Sequence, residues 1–537
     1  MEEMKKIIKI IPVLLLVTLI GCNDLDEKVF STLTEDGYTY SEGEALNVIG
    51  PVYTNLRSFY GQTRYMGIQI LSTDILVMPA NASGWFNDGR QIRHHKHTWK
   101  TDEMQFPNAW NALYKGVLLS NRIIEQLESG KVPAPSNTSI ESLIAEVKVT
   151  RAFYYWLLID SFGDVPFYTS TSSELVNSTD RNTIFESIVS DITTSLDKLN
   201  PENNRLMYGR FNKWAAKTLL ATLYINSEVY TGTAQWEKVL DECNDIISSG
   251  EYSLEQNYAD CFSPYNENSV ETVFAIPNDE INAGGFNIYR MTLHASSKDK
   301  YKAASPWGAA ALKAVPQFID TYDTTDQRLY DTWEMGLQLS YEGDTLRCAY
   351  DKAGEPLIYT KELPNGEYTA ENEGYRVIKY QVEIGCNGNM NNDFIFFRYA
   401  HVLMMKAESL LRMGRADEAA DIVTQVRQRA FKNNPEKATV TGTELMSDSK
   451  YNWGYVENYD IVEQGDISPI EFGGFYDELG WEFACEWMRR RQMIRFGTYT
   501  TKSWLSHKPN GNYRTVFPIP EKALDANPKL EQNPDYQ

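Results

Sequence analysis

Gly414-Arg415-Ala416-Asp417-Glu418-Ala419 follows a face made by Leu403, Ala407, Leu410 and Leu411. Those apolar positions recur at steps of three and four, the spacing of one side of an α-helix. Gly414 turns the chain, and Val423 and Val426 continue a second helix opened by Asp417 and Glu418. A small-residue turn leading into such a helix is the signature of a tetratricopeptide-like unit. Small residues let two helix backbones approach, and larger ones across the pair fill the groove. The layout recurs earlier. Trp214, Thr218, Ala221, Tyr224 and Ile225 mark one helix; Trp236, Val239, Leu240, Cys243 and Ile247 mark its partner. The spacing between pairs is irregular, so the sequence predicts stacked helix pairs rather than a strict repeat array.

The same periodicity runs outward. Trp110, Leu113, Tyr114, Val117, Leu118, Asn121 and Ile124 mark one helix. Ile144, Val147, Ala152, Tyr155, Leu158 and Ile159 mark another, stopped at Gly163-Asp164-Val165-Pro166. Ile184, Ile188, Ile192 and Leu196 form a shorter one closed by Asn200-Pro201, and a final helix is expected over about 475–496. Trp110, Trp156, Trp214, Trp236 and Trp487 fall on helical faces and are expected in the core. Between about 251 and 393 Gly, Asn, Asp, Pro and Tyr are frequent and the periodicity lapses, with strand candidates at 271–276, 357–360 and 375–382. A long irregular stretch in a compact protein usually carries function. The expected fold is mainly α. Tetratricopeptide-like helix pairs form a scaffold over about 42–250 and 394–497. A loop-rich irregular layer with a few short strands covers 251–393, and a tail covers 498–537. The ligand surface is expected from 60–110 and 280–390.

The 537 residues carry 51 Lys+Arg against 73 Asp+Glu, a net charge of −22, which argues against nucleic acid as a partner. With 42% hydrophobic and 23% charged residues the composition is that of a globular chain. Lys5, Lys6 and Lys9 precede an apolar run over 10–20, too short to span a bilayer and of the form of a secretory leader, residues 1–21. Leu19-Ile20-Gly21-Cys22 has the form of a bacterial lipobox, which implies cleavage before Cys22 and lipid attachment to its thiol; a plain leader with an incidental cysteine is the alternative. The acidic run Asn23-Asp24-Leu25-Asp26-Glu27 resembles a surface-export signal of Bacteroidota-type lipoproteins, and 22–41 reads as a lipidated tether. The other five cysteines are widely spaced with no CxxC pair, which supports neither a thiolate zinc site nor a disulfide scaffold.

Several motifs then converge. Trp110-Asn111-Ala112-Leu113-Tyr114 with Asn121, Arg151-Ala152-Phe153-Tyr154 running to Phe162-Gly163-Asp164-Val165-Pro166, and Arg398-Tyr399-Ala400 with Ala407-Glu408 and Gly414 lie in order along the chain. Phe517-Pro518-Ile519-Pro520, Asn527-Pro528 and Gln532-Asn533-Pro534 close it. Together they resemble the SusD/RagB family of outer-membrane lipoproteins from end to end. The chain departs from that pattern where Trp487 follows Glu486 and Gln492-Met493 replace an Asp-containing pair; with Arg489, Arg495, Phe496 and Gly497 retained, this stretch reads as a structural ion-pair region. The resemblance implies a single SusD-like domain over 42–537 and no catalysis or cofactor. It implies capture of a glycan and delivery to a TonB-dependent SusC-like transporter, with the protein held at the cell surface by its lipid. A peptide-capturing RagB-like role is the alternative within the family, and a surface glycosidase the alternative outside it.

Sugars present apolar C–H faces edged by hydroxyls, so flat aromatic rings flanked by amides, carboxylates and Arg suit them. Asn81-Ala82-Ser83-Gly84-Trp85-Phe86-Asn87-Asp88-Gly89-Arg90 is the strongest such stretch, with Trp85 in a loop composition and Asn87, Asp88 and Arg90 beside it. The resemblance supports a ligand role for this Trp85 loop. Trp307, in Ala304-Ser305-Pro306-Trp307-Gly308, is second and matches a Trp-bearing loop of the starch-binding members; Tyr289 and Arg290 join it, and Trp333 is a further candidate. His94-His95-Lys96-His97 invites a metal, since His95 and His97 would share one face of an extended strand, but no carboxylate pattern completes a site and none is assigned. No GxSxG, HExxH or P-loop occurs.

Overall fold

The computed structural model describes residues 40–41, 44–309 and 311–536; the leader, Cys22 and nearly all of the tether lie outside them. Among the described residues no helix is long and apolar enough to cross a membrane. The scaffold consists of α1 (Ala45–Thr54), α2 (Gln105–Glu128), α3 (Ile140–Phe162), α4 (Arg181–Ser195), α5 (Lys213–Ile225), α6 (Trp236–Ser249), α7 (Tyr399–Arg412) and α8 (Ala416–Arg427). Each packs on the next: α2 on α3, α3 on α4, α5 on α6, α6 on α7 and α7 on α8. The α5–α6 and α7–α8 hairpins therefore stack although the whole irregular segment separates them in sequence.

Local chemistry fixes the helix ends. Ser139, Asp180 and Asn212 accept from backbone N–H groups in the first turns of α3, α4 and α5, satisfying donors that have no partner within the helix. Gly163 stops α3 at φ +74°, where it has no Cβ to clash. Gly116 serves a different end. A Cβ built there would lie 2.2 Å from the Tyr154 ring, so its absence lets α3 seat Tyr154 against α2. That ring is fully buried and its hydroxyl donates to Val52 O at 2.5 Å, tying α1 to the pair.

The irregular layer leaves and rejoins the scaffold through one ladder. Strands β1 (Thr272–Ile276) and β2 (Phe394–Arg398) pair antiparallel, with Phe394 opposite Ile276, and β2 runs directly into α7. Every residue of both strands is buried. Phe153 of α3 meets Phe274 and Phe396 edge-on at 5.6 and 4.9 Å. Between the strands the layer holds only short segments: Ile358–Tyr359 and Arg376–Val377 are strands of two residues, less than the runs expected there.

A buried charge cluster joins this neck to the helices over 473–495. Arg398 pairs with Glu271 and Glu482 at 2.7 Å and with Glu486 at 2.8 Å. Arg429 pairs with Glu271 and, at 2.5 Å, with Glu482; Arg328 reaches Glu482 at 3.1 Å, and Lys379 reaches Glu486 at 2.5 Å. Burial by itself pushes the Glu271 and Glu482 carboxyls up; Arg429 and Arg398 outweigh it and hold Glu271 at about 2 and Glu482 well below the usual carboxylate range. The helix expected over 475–496 is broken here into α9 (Gly473–Phe483) and α10 (Arg489–Arg495), with Cys485 and Trp487 at φ +66° and +61°. The break keeps both Glu482 and Glu486 on Arg398, and it moves Trp487 off a helix to stack on Phe394 at 3.9 Å. Arg489 then binds Asp74 at 2.8 Å, and Arg490 and Arg491 bind Asp160 at 3.1 and 3.4 Å. Of the other helical tryptophans, Trp110 and Trp156 are buried; Trp214 and Trp236 are half-buried, Trp236 beneath Arg412.

Two outcomes follow from this packing. Gly116→Ala will lower the denaturant midpoint, because overpacking against Tyr154 costs about 1–3 kcal/mol and exceeds the roughly 1 kcal/mol that Ala gains over Gly in a helix; an unchanged or raised midpoint would refute the close approach. Glu482→Gln leaves three buried guanidinium groups short of a counter-charge, and thermal melting should report a loss of about 3–5 kcal/mol.

Candidate ligand-binding surface

The Trp85 turn begins at a two-residue strand, Ala80–Asn81, paired in parallel with Tyr368–Thr369. The buried Asn81 side chain accepts from the Ser83 N–H and hydroxyl at 3.1 and 2.7 Å, and its backbone N–H donates to Trp85 O at 3.2 Å. This closes a tight turn on Gly84 and leaves Trp85 half-buried, with Phe86 54% exposed beside it. Asn87 and Asp88 then adopt left-handed backbone, φ +49° and +56°, an uncommon pair of conformations outside glycine. Arg93 holds this bend through Asp88 O at 2.6 Å and is itself fixed by Glu103 at 2.5 Å. Asn87 is half-buried and the Asp88 side chain is exposed, while Arg90 reaches across to Met104.

The second loop is built from below. Tyr289 is buried, and its hydroxyl donates to Ala304 O at 3.0 Å, fixing the start of the loop. Trp307 N–H donates to Arg290 O at 2.8 Å, and Gly308 O accepts from Ala295 N–H at 2.9 Å. Trp307 stands 47% exposed, with the Arg290 guanidinium 4.9 Å from its ring centroid. Gly308, at φ +66°, is the junction: a Cβ there would sit 2.6 Å from Ser83 Oγ. The two loops that sequence singled out separately are thus in contact, with the Trp85 turn against the Trp307 loop.

The structure adds aromatics that sequence reading missed. Tyr350 lies beside the Gly308–Ser83 junction, its hydroxyl 4.0 Å from the built Cβ. Glu371 positions that tyrosine by accepting the backbone N–H groups of Ala349, Tyr350 and Lys352 at 2.6, 3.0 and 2.7 Å and bonding His294 Nε2 at 3.0 Å. Burial pushes the Glu371 carboxyl up, and those donors more than offset it, so it stays ionised below its ordinary range. Tyr368 is 53% exposed and in register with Ala80. Both lie in Gly/Asn/Asp-rich loops whose composition marked the region but not the individual rings.

Three expectations are corrected. Trp333 is 1% exposed, set edge-on to Phe318 at 6.2 Å and paired in a short strand with Val377, so no face of its ring is open to a ligand. Its apolar bulk, flanked by a helix and a strand, is core. Tyr289 is likewise support for the loop rather than an open face. The histidine run is helical, not extended: Arg90–His95 is a helix and His97 is left-handed at φ +51°. His94 packs on Phe106 at 5.3 Å, and His97 on Tyr499 and His507 at 4.3 and 4.1 Å. No group of three or more His, Cys, Asp or Glu side chains able to hold a metal ion is found among the described residues.

A family model described as starch-binding, associating with the outer membrane, matches residues 47–225, and the SusD family model matches residues 243–536. The chain belongs to the SusD family. It is 26% identical to SusD-like protein P25 of Formosa agariphila, over 97% of each chain. It is 24% identical to the starch-binding protein SusD of Bacteroides thetaiotaomicron, over 73% of this chain and 72% of that one. Among solved structures, a laminarin-binding SusD-like protein superposes with a TM-score of 0.69 at 18% identity, covering 93% of this chain and 100% of that one.

All six histidines are buried and titrate low: His94, His95 and His401 at about 3 and His294 at about 4, chiefly by desolvation, with His97 and His507 also well below the ordinary value. Each contributes stability that is present above the unfolded value near 6.5 and lost as pH falls below it. Burial raises Asp393 to about 6 and Asp477 to about 7, which acts in the opposite sense over the same window. Six imidazoles less two carboxyls leaves uptake of about four protons on unfolding near pH 5.5. The melting temperature should therefore fall steadily from pH 7.5 to 5.5; a flat or rising profile would contradict the buried neutral histidines.

Proposed function

We propose that this chain is a non-catalytic cell-surface glycan-binding lipoprotein. Lipid on Cys22 holds it at the outer membrane, and it passes captured oligosaccharide to a TonB-dependent SusC-like transporter. The observation that carries the reading is the contact between the Trp85 turn and the Trp307 loop through Ser83 and Gly308, which brings together two loops that each bear a part-exposed indole. Phe86, Tyr350 and Tyr368 extend that apolar surface, and Asn87, Asp88 and Arg290 edge it with donors and acceptors. An indole over a sugar ring excludes water from the C–H face, and the polar edge orients the hydroxyls. Starch and laminarin, named for its relatives, are neutral glucans. A net charge of −22 also favours an uncharged ligand over sulfated or uronate polymers by long-range repulsion.

The anchor and the binding surface divide the work. Each buried methylene of an acyl chain contributes about 0.8 kcal/mol to membrane affinity, so two or more chains retain the protein while the loops remain in the medium. Capture without cleavage needs no general acid, only rigid rings and a polar rim.

Titration calorimetry with laminarihexaose and maltohexaose tests this. Trp85→Ala and Trp307→Ala should each weaken binding at least about tenfold, about 1.4 kcal/mol, with melting temperature nearly unchanged. Full affinity in both variants would remove this surface as the site. Release of shorter sugars on prolonged incubation would remove the non-catalytic reading.

A further inference from the structure

The segment 383–393 serves two places. Gly388 lies against Arg290, part of the surface above, with 3.4 Å between a Cβ built there and Nη1. Asn391 and Asp393 instead line a separate cavity of about 640 Å³, walled by the loops at 203–208, 265–270 and 277–279. That volume lies inside the range of small-molecule sites, roughly 300–1000 Å³. Its floor is rigid. Asp393 is buried and accepts from the Tyr208 hydroxyl and from Asn278 N–H, both at 2.6 Å.

Tyr265 stands at the rim and is the decisive residue. Its backbone is left-handed, φ +59°, a strained conformation for an aromatic side chain. Its hydroxyl donates to Glu383 at 2.9 Å and accepts from Asn391 Nδ2 at 3.1 Å. The ring is nevertheless 56% exposed, so the strain is not recovered by packing within the chain. A ring clamped at its tip and bare on its face is a prepositioned stacking surface. Around it Asn268 offers an amide and Glu267 a carboxylate, and Asn278 Oδ1 has no hydrogen-bond partner among the described residues. Glu251, Glu267, Asp279 and Asp393 outnumber Arg205, which disfavours an anionic ligand.

We propose that this cleft is a second saccharide-binding site, taking a short stretch of neutral hexopyranose oligomer stacked on Tyr265. It rests on the glycan-binding reading above and adds a second point of attachment. Two linked sites hold a polymer more tightly than either alone, because the second contact forms at high effective concentration.

The test uses the Trp85→Ala/Trp307→Ala double variant, titrated calorimetrically with maltohexaose, laminarihexaose and mannohexaose. At least one hexamer should still bind, at about millimolar Kd. Adding Tyr265→Asn, whose short amide tolerates left-handed backbone, should weaken that binding about tenfold or more while the melting temperature holds. Absence of hexamer binding to the double variant overturns the second site, and if wild type binds under the same conditions the first reading survives. Residual binding indifferent to Tyr265→Asn also overturns it. Double-variant binding equal to wild type, but lost on Tyr265→Asn, supports the cleft and removes the Trp85–Trp307 surface instead.

Discussion

The Arg398 guanidinium, sealed among Glu271, Glu482 and Glu486, is the constraint on which the architecture turns. A buried charge is tolerable only if it is paired and its donors are used. Arg398 is the last residue of β2 and directly precedes α7, Glu271 directly precedes β1, and Glu482 lies in α9. Meeting the needs of one guanidinium therefore brings three distant stretches of chain to a single point. Arg328 and Lys379, both from the irregular layer, complete the cluster. The layer is thereby bolted to the scaffold by charge as well as by the β1–β2 ladder.

This arrangement explains how irregular loops present rings at fixed positions. Short two-residue strands contribute little order by themselves. Order comes instead from single buried acceptors, each collecting several backbone donors. Asn81 shapes the Trp85 turn and Glu371 fixes the 349–352 loop in this way. A carboxylate or amide used so replaces the ladder a longer strand would supply.

The helix pairs were legible because their signal is local. Leu403, Ala407 and Leu410 fall on one face whatever surrounds them, and Gly163 with Pro166 stops α3 by its own chemistry. What was illegible depends on distant partners. The break between α9 and α10 is set by cations from four other segments, and its apolar periodicity runs straight through it. Trp333 and Trp307 both fall in the aperiodic stretch of the sequence, yet one is core and the other open, because the difference lies in Phe318 and Val377 folding over the first. Trp85 and Trp307 were readable singly from their loop composition. The contact between their loops was not, since it rests on the missing Cβ of Gly308 opposite Ser83, more than two hundred positions away in the chain.

The ladder at the neck has a consequence for how such a chain changes. Outgoing and returning strands are hydrogen-bonded neighbours, about 5 Å apart, so the excursion between Ile276 and Phe394 starts and finishes at one doorway. Whatever is threaded through it can be lengthened, shortened or rewritten without altering the distance the helical stack must span. Arg328 and Lys379 reach back to the charge cluster, and such rewriting must keep them. The molecule is in effect a fixed handle with an exchangeable head, and the two meet again where Ser83 of the handle faces Gly308 of the head.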